Sequence, residues 1–114
     1  ESISCDLGCA IYKVRSRFVF HSLSPESVAL NCEFIMKHIL RQGMHICVVR
    51  SGLYSRDLYL CYELFSRFYP ARQTQMYEAL FYSINPSSDM FLVERILSDL
   101  GDWLVEESLL LFSS

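Results

Sequence analysis

Apolar residues in this chain recur at helical rather than strand spacing, and residues that start and stop helices punctuate the pattern at short intervals. The clearest start is Ser24-Pro25-Glu26. Serine is a good N-cap, proline is tolerated at the first helical position, and an acid in the first turn meets the positive end of the helix dipole. From there Val28, Cys32, Ile35, Met36 and Ile39 fall on one stripe of a 3.6-residue period. Leu30 and Phe34 fall on nearly the opposite side, so the helix is expected to touch neighbours on two faces. Gly43, just past Arg41, reads as its C-terminal stop.

The same reading extends along the chain. Met44–Val49 is a short apolar run whose length leaves helix and strand both open, stopped by Ser51-Gly52. Ser55 is expected to cap the next helix, which ends before Pro70. In it Leu58, Cys61, Tyr62, Phe65 and Phe68 share a stripe. A helix over Ala71–Ile84 carries Met76, Leu80 and Ile84 in register. After the Asn85-Pro86 loop, Ser87 or Ser88 caps a helix carrying Val93, Ile96, Leu97 and Leu100, and Gly101 closes it. Asp102 then caps a last helix from Trp103 to Phe112. At the start of the chain, Cys9–Phe20 reads better as helix than as strand, with Ala10, Ile11, Val14 and Phe18 in register. The expected fold is all-α: five to seven short antiparallel helices, as a helical-repeat-like stack or a compact bundle.

Length and composition narrow the class. At 114 residues the prior is one domain, with enough chain to bury a core. Apolar residues make up 52% and charged ones 20%, which leaves ample apolar area to offset the ordering entropy of folding. No apolar run reaches the roughly 20 residues of a membrane span. The start, ESISCDLGC, does not have the pattern of a secretory leader. It has no initiator Met, so residues 1–114 are read as one helical domain that can be a piece of a longer chain. Five cysteines among apolar neighbours read as reduced, buried thiols, and hence as an intracellular chain of the cytoplasm or nucleus.

No motif names a reaction. Cys5-x3-Cys9 with His21 supplies three metal donors on paper, but the spacing is not that of structural zinc and no second pair follows. His38 reads as a surface residue and His45 as a partly buried one. P-loop, dinucleotide and nucleophile-elbow motifs are absent, so no catalytic residue, metal or cofactor is expected. Lys13, Arg15 and Arg17 interleave with Tyr12 and Phe18, a pattern that can bind nucleic acid. Residues 1–72 carry nine Lys/Arg against six Asp/Glu, a net +3, while residues 73–114 carry Arg95 against seven acids, a net −6. A net +3 is a weak basis for tight nucleic-acid binding.

Two-sided helices, short loops and Ser/Gly stops, as in SPESVALNCEFIMKHILRQG followed by SRDLYLCYELFSRF, resemble the α-helical repeats of the armadillo/HEAT type over roughly Ser24–Ser114. That resemblance implies a non-enzymatic scaffold that binds another protein or itself. The aromatic density points the same way, since eight Phe and seven Tyr in so short a chain give more apolar surface than a core absorbs. The contact surface is expected on the aromatic helix, through Tyr59, Tyr62 and Tyr69 with Arg56 and Arg67 at the rim, and through Trp103. The alternative is a helical domain that binds nucleic acid through its basic first half.

Phe65, at the centre of the densest stripe, is expected to be core. Phe65→Ala should destabilise the fold by about 3–5 kcal/mol, read from the denaturant midpoint. An unchanged midpoint would place Phe65 on the surface.

Overall fold

A computed structural model describes residues Ile3–Phe112, with side chains described from Leu7 onward except that of Val49. Six α-helices follow in chain order: α1 (Ile3–Phe20), α2 (Pro25–Ser51), α3 (Leu58–Phe68), α4 (Gln73–Ile84), α5 (Met90–Ile96) and α6 (Asp102–Phe112). A 3-10 turn, Pro70–Arg72, leads into α4, and a π-helical segment, Leu97–Gly101, joins α5 to α6. The fold is all-α, with no strand among the described residues. Both undecided stretches, Cys9–Phe20 and Met44–Val49, are helical.

Helix α2 is the axis of the molecule, and α1, α3, α4 and α6 all pack on it. Its start is the one the sequence announces: Ser24 accepts from the backbone N–H of Ser27, and Pro25 occupies the first turn. Its end is not at Gly43. The helix runs on to Ser51 and closes at Gly52, whose left-handed φ of 71° lets its N–H reach the Val48 carbonyl. Only a residue without a side chain adopts that φ at little cost, and Gly52 is the one described residue that does so.

Gly43 has a different task. It is buried, and a Cβ there would lie 2.8 Å from Met76 Cε and 3.1 Å from Phe65 Cδ1. Its missing side chain is the space into which α3 and α4 press. Gly101 likewise does not stop a helix. A Cβ on it would come within 3.0 Å of Ile11 Cδ1 on α1, and the chain passes through it by a wide turn in which Asp102 N–H bonds the Leu97 carbonyl, five residues back.

The helix starts at α3 and α5 share one device, which lies two residues after the expected Ser55 and one or two after the expected Ser87 or Ser88. Asp57 and Asp89 are the caps, each accepting from the next two helical N–H groups, while Ser55 and Ser87 accept from the N–H of their respective aspartates. A carboxylate outcompetes a hydroxyl here because it accepts several bonds at once and also meets the helix dipole.

Packing is antiparallel where the contacts define it. Arg17 on α1 reaches Asn31 near the start of α2. At the other end of α2, Gln42 donates to Ser108 of α6, inside the core. On α4, Tyr82 faces Cys32 and Met76 faces Gly43, so α4 runs against α2. The core holds Val14, Ile35, Met36, Ile39, Leu40, Cys47, Phe65, Met76, Val93, Leu97, Leu100 and Leu104, all fully buried. Phe65 is therefore core, as its stripe requires.

One polar clamp binds the first helix to the last two. Arg15 grips Glu94 through Nε and Nη2 at 3.0 and 2.9 Å, and Asp102 through Nη1 and Nη2 at 3.0 and 2.9 Å. The paired forks hold the guanidinium charged, well above its ordinary range; the bonds to Glu94 lead and those to Asp102 follow. All three side chains are partly exposed, so water screens the attraction. The clamp fixes orientation more than it adds stability.

Gly43→Ala should destabilise the protein by about 1–2 kcal/mol, because overpacking a full core costs about 1–3 kcal/mol and the helical preference of alanine over glycine returns up to about 1 kcal/mol. Equilibrium denaturation measures it. A neutral or stabilising substitution would mean that the site is open.

Candidate interaction surface

The segment after α2 is shaped by its own side chains. The Ser51 hydroxyl accepts from Leu53 N–H, and the Ser55 hydroxyl accepts from Asp57 N–H, so two short turns hold residues 52–57 without tertiary burial. This arrangement turns Leu53 and Tyr54 outward, 58% and 63% exposed. The first turn of α3 then adds Tyr59 and Leu60, also exposed. Four large apolar side chains thus share one region of surface.

Beside them lie two depressions. The first is an apolar slot of ≈ 220 Å³ between the loop, α2 and α3, lined among others by Met44, Leu53, Tyr54, Leu60 and Leu64, with Glu63 and Arg67 at its edge. The second is a cleft of ≈ 400 Å³ between α1, α2 and the same loop, with Ala10, Lys13, Phe34, His38, Arg41 and Met44 in its wall. Met44, Tyr54 and Ser55 line both, so slot and cleft adjoin. His45 and Tyr54 face each other in the cleft wall, with ring centroids 6.2 Å apart. His38 is tied to the Phe34 carbonyl through Nδ1 at 3.1 Å.

The structure divides the residues singled out in the sequence. Arg56, Tyr59 and Arg67 are exposed on or beside α3. Tyr62 is half-buried, in contact with Tyr59 and Tyr77, and its hydroxyl accepts from Gln73. Tyr69 and Trp103 turn inward toward each other. Tyr69 stacks on Phe65 at 5.0 Å and meets Trp103 edge-on at 5.4 Å, while its hydroxyl donates to Glu107. Arg72 lies 4.1 Å over the Trp103 ring and also donates to the Asp99 carbonyl in the π segment. These two aromatics join α3 to α6, whereas Tyr59 stands free of the core.

Leu53, Tyr54 and Leu60 were not singled out from sequence. Leu53 and Tyr54 follow a glycine stop that does not read as the end of a long helix, and Leu60 falls outside the stripe of Leu58, Cys61, Tyr62, Phe65 and Phe68. The basic cluster near the start also separates. Arg15 is held by two acids, Arg17 donates to Asn31, and only Lys13 faces the cleft.

Cys32, Cys47 and Cys61 are buried, and Cys9, expected to be buried too, is exposed in the cleft wall. Its helix position faces outward between Gly8 and Ala10. Cys5 lies outside the described side chains. No group of three metal donors occurs among the described residues. No described helix is long and apolar enough to cross a membrane.

No family model, curated protein or solved structure matches this chain. The surface must therefore be read from its own chemistry.

Burial holds the thiol protons of Cys32 and Cys61 tightly. Burial pushes the Cys47 thiol up to about 11. Burial, then the bond to Glu107, pushes the Tyr69 hydroxyl up to about 12 from its ordinary 10.0. A raised folded value means that the contribution to stability is complete below the unfolded value and is lost as pH rises through the folded one. Stability should therefore fall from pH 9.0 to about 11 through Cys47 and from pH 10.0 to about 12 through Tyr69, and Tyr69→Phe should flatten the upper part of the profile. Denaturant midpoints taken across this range check it. An equally steep profile in the variant would assign the loss elsewhere.

Proposed function

We propose that this domain is a non-enzymatic interaction module that binds another protein through the surface made by residues 52–57 and α3. The observation that supports it is the grouping of Leu53, Tyr54 and Leu60, all exposed, around an apolar slot, with exposed Tyr59 next to Leu60 in the first turn of α3. Isolated exposed apolar residues are ordinary, but a grouped set beside a concavity marks a contact site. Rim arginines such as Arg56 and Arg67 suit the edge of such a patch. A scaffold role of this kind is what the likeness to armadillo/HEAT repeats implied.

The magnitudes favour this reading over the electrostatic one. Apolar burial contributes about 25 cal/mol per Å², and a standard interface covers about 800 Å² per partner, which leaves a surplus after the cost of association. Nucleic-acid binding would draw on the first-half cations, of which Arg15 is already engaged by two acids.

The domain should capture a protein partner, itself included, at both low and high salt, and Leu60→Ser with Tyr59→Ser should abolish the capture while leaving the denaturant midpoint near that of the parent. Sedimentation and cross-linking at low and high salt test this beside an oligonucleotide titration. A domain that stays monomeric, captures nothing, and binds an oligonucleotide at micromolar concentration with steep salt dependence would replace the reading with the basic-face alternative.

A further inference from the structure

We infer that the segment this surface accepts is an acidic amphipathic helix, its apolar side chains in the slot and its carboxylates in the adjoining cleft. The inference rests on the interaction reading above and specifies the partner's chemistry.

Charge sets the first half of the argument. Lys13 comes from α1 and Arg41 from α2, and they line the same cleft. Both are exposed, and neither makes an ion pair among the described residues. The described lining of the cleft contains no Asp or Glu. The other charges on α2 and α1 differ in this respect. Lys37 pairs with Glu33 at 2.7 Å, and Arg15 is held by Glu94 and Asp102. In the slot the nearest carboxylate, Glu63, is approached by the Tyr59 hydroxyl, and Arg67 stands at the same edge. The cationic pair lies against the apolar walls given by Leu7, Ala10, Phe34 and Met44. A concave site with low-dielectric walls and one sign of charge concentrates ligands of the opposite sign, and a carboxylate there gains charge-assisted bonds that neutral donors do not give.

Backbone chemistry sets the second half. A segment bound by strand addition needs a sheet edge to satisfy its N–H and C=O groups, and the described residues contain no strand. A helix satisfies its own backbone and presents side chains three and four residues apart on one face. Because Met44, Tyr54 and Ser55 line both depressions, one helix can fill the slot with branched apolar residues and direct acids one turn away into the cleft. The neighbouring depression at Leu30 shares Lys13 but not Arg41. Leu30 and Phe34 flank a shallow depression with Lys13, Arg17, Ser27 and Asn31, where Arg17 is already bonded to Asn31.

The test uses labelled synthetic helices of about fifteen residues, near the shortest that hold helical structure in water. One carries leucines at i, i+3, i+4 and i+7 with flanking glutamates. A second has lysines for the glutamates, a third has serines for the leucines, and a single-stranded oligonucleotide is the polyanion control. Fluorescence anisotropy at moderate salt should show the acidic leucine helix binding at least about tenfold more tightly than either altered helix, a difference of about 1.4 kcal/mol. Arg41→Glu and Lys13→Glu should each weaken it severalfold, and Leu60→Ser should do the same. These three positions are exposed, so circular dichroism should show folded variants. Equal binding of the acidic and basic helices, with loss only in Leu60→Ser, would overturn the acidic preference and leave the interaction surface standing. No binding of the acidic helix, while Leu60→Ser still abolishes partner capture, would overturn the inference alone. Equal binding of the serine helix or the oligonucleotide, unaffected by Leu60→Ser, would overturn both readings.

Discussion

The close approach of α3 and α4 to α2 at Gly43 is the contact on which the rest of the molecule depends. Phe65 and Met76, both fully buried, occupy the space a side chain would fill. Phe65 then carries the next shell, with Tyr69 stacked on it and Trp103 against its edge. Trp103 in turn supports Arg72 at the entrance to α4. Moving α3 outward from Gly43 would shift this chain of rings together, because a close-packed interior transmits displacement rather than absorbing it. It would also move the first turn of α3, and with it Tyr59 and Leu60. The surface we propose as an interaction site is thus held in place from below by a glycine it never touches.

The uneven distribution of charge along the chain takes on a structural meaning. The acid-rich second half does not simply oppose the basic first half across the molecule. Glu94 and Asp102 are joined to Arg15, Glu78 is joined to Arg95, and Glu107 accepts from Tyr69. The Arg15 and Tyr69 pairs connect parts of the chain that are distant in sequence, and the Glu78 pair joins consecutive helices, so much of the asymmetry is used in holding the fold together. What remains outside such pairs includes Lys13 and Arg41, which come from different helices and meet in one cleft.

Helical periodicity made the helices legible, because burying one stripe is a property that a linear pattern carries. Ser24-Pro25 was legible because capping is local. Gly43 was misread for a physical reason: glycine either ends a helix through positive φ or admits a close neighbour, and only the neighbours tell the two apart. Arg41 before it supplied a false basic last turn. Met44–Val49 was ambiguous because six residues, five of them apolar, are too short a run to show a period. The caps at Asp57 and Asp89 could have been found, since each follows a serine at two residues' distance and the pattern occurs twice. The inward turn of Tyr69 and Trp103 could not, because the Glu107 and Arg72 contacts that orient them span long stretches of chain. The cleft was invisible for the same reason, as Lys13 and Arg41 belong to separate helices.

The wide turn at Leu97–Gly101 sets the phase of α6. A π turn carries an additional residue per turn relative to an α-helix, and each residue advances a helix by about 100°. A chain shorter by one residue within this segment could remain helical from Met90 to Phe112, yet α6 would be rotated about its own axis by that angle. Asp102 would swing away from the guanidinium of Arg15, Trp103 would leave the ring of Phe65, and Ser108 would no longer meet Gln42 in the core. A single residue therefore decides which side of the last helix is inside. Two segments that look like one continuous helix in outline are in effect separately phased, each matched to its own part of the core.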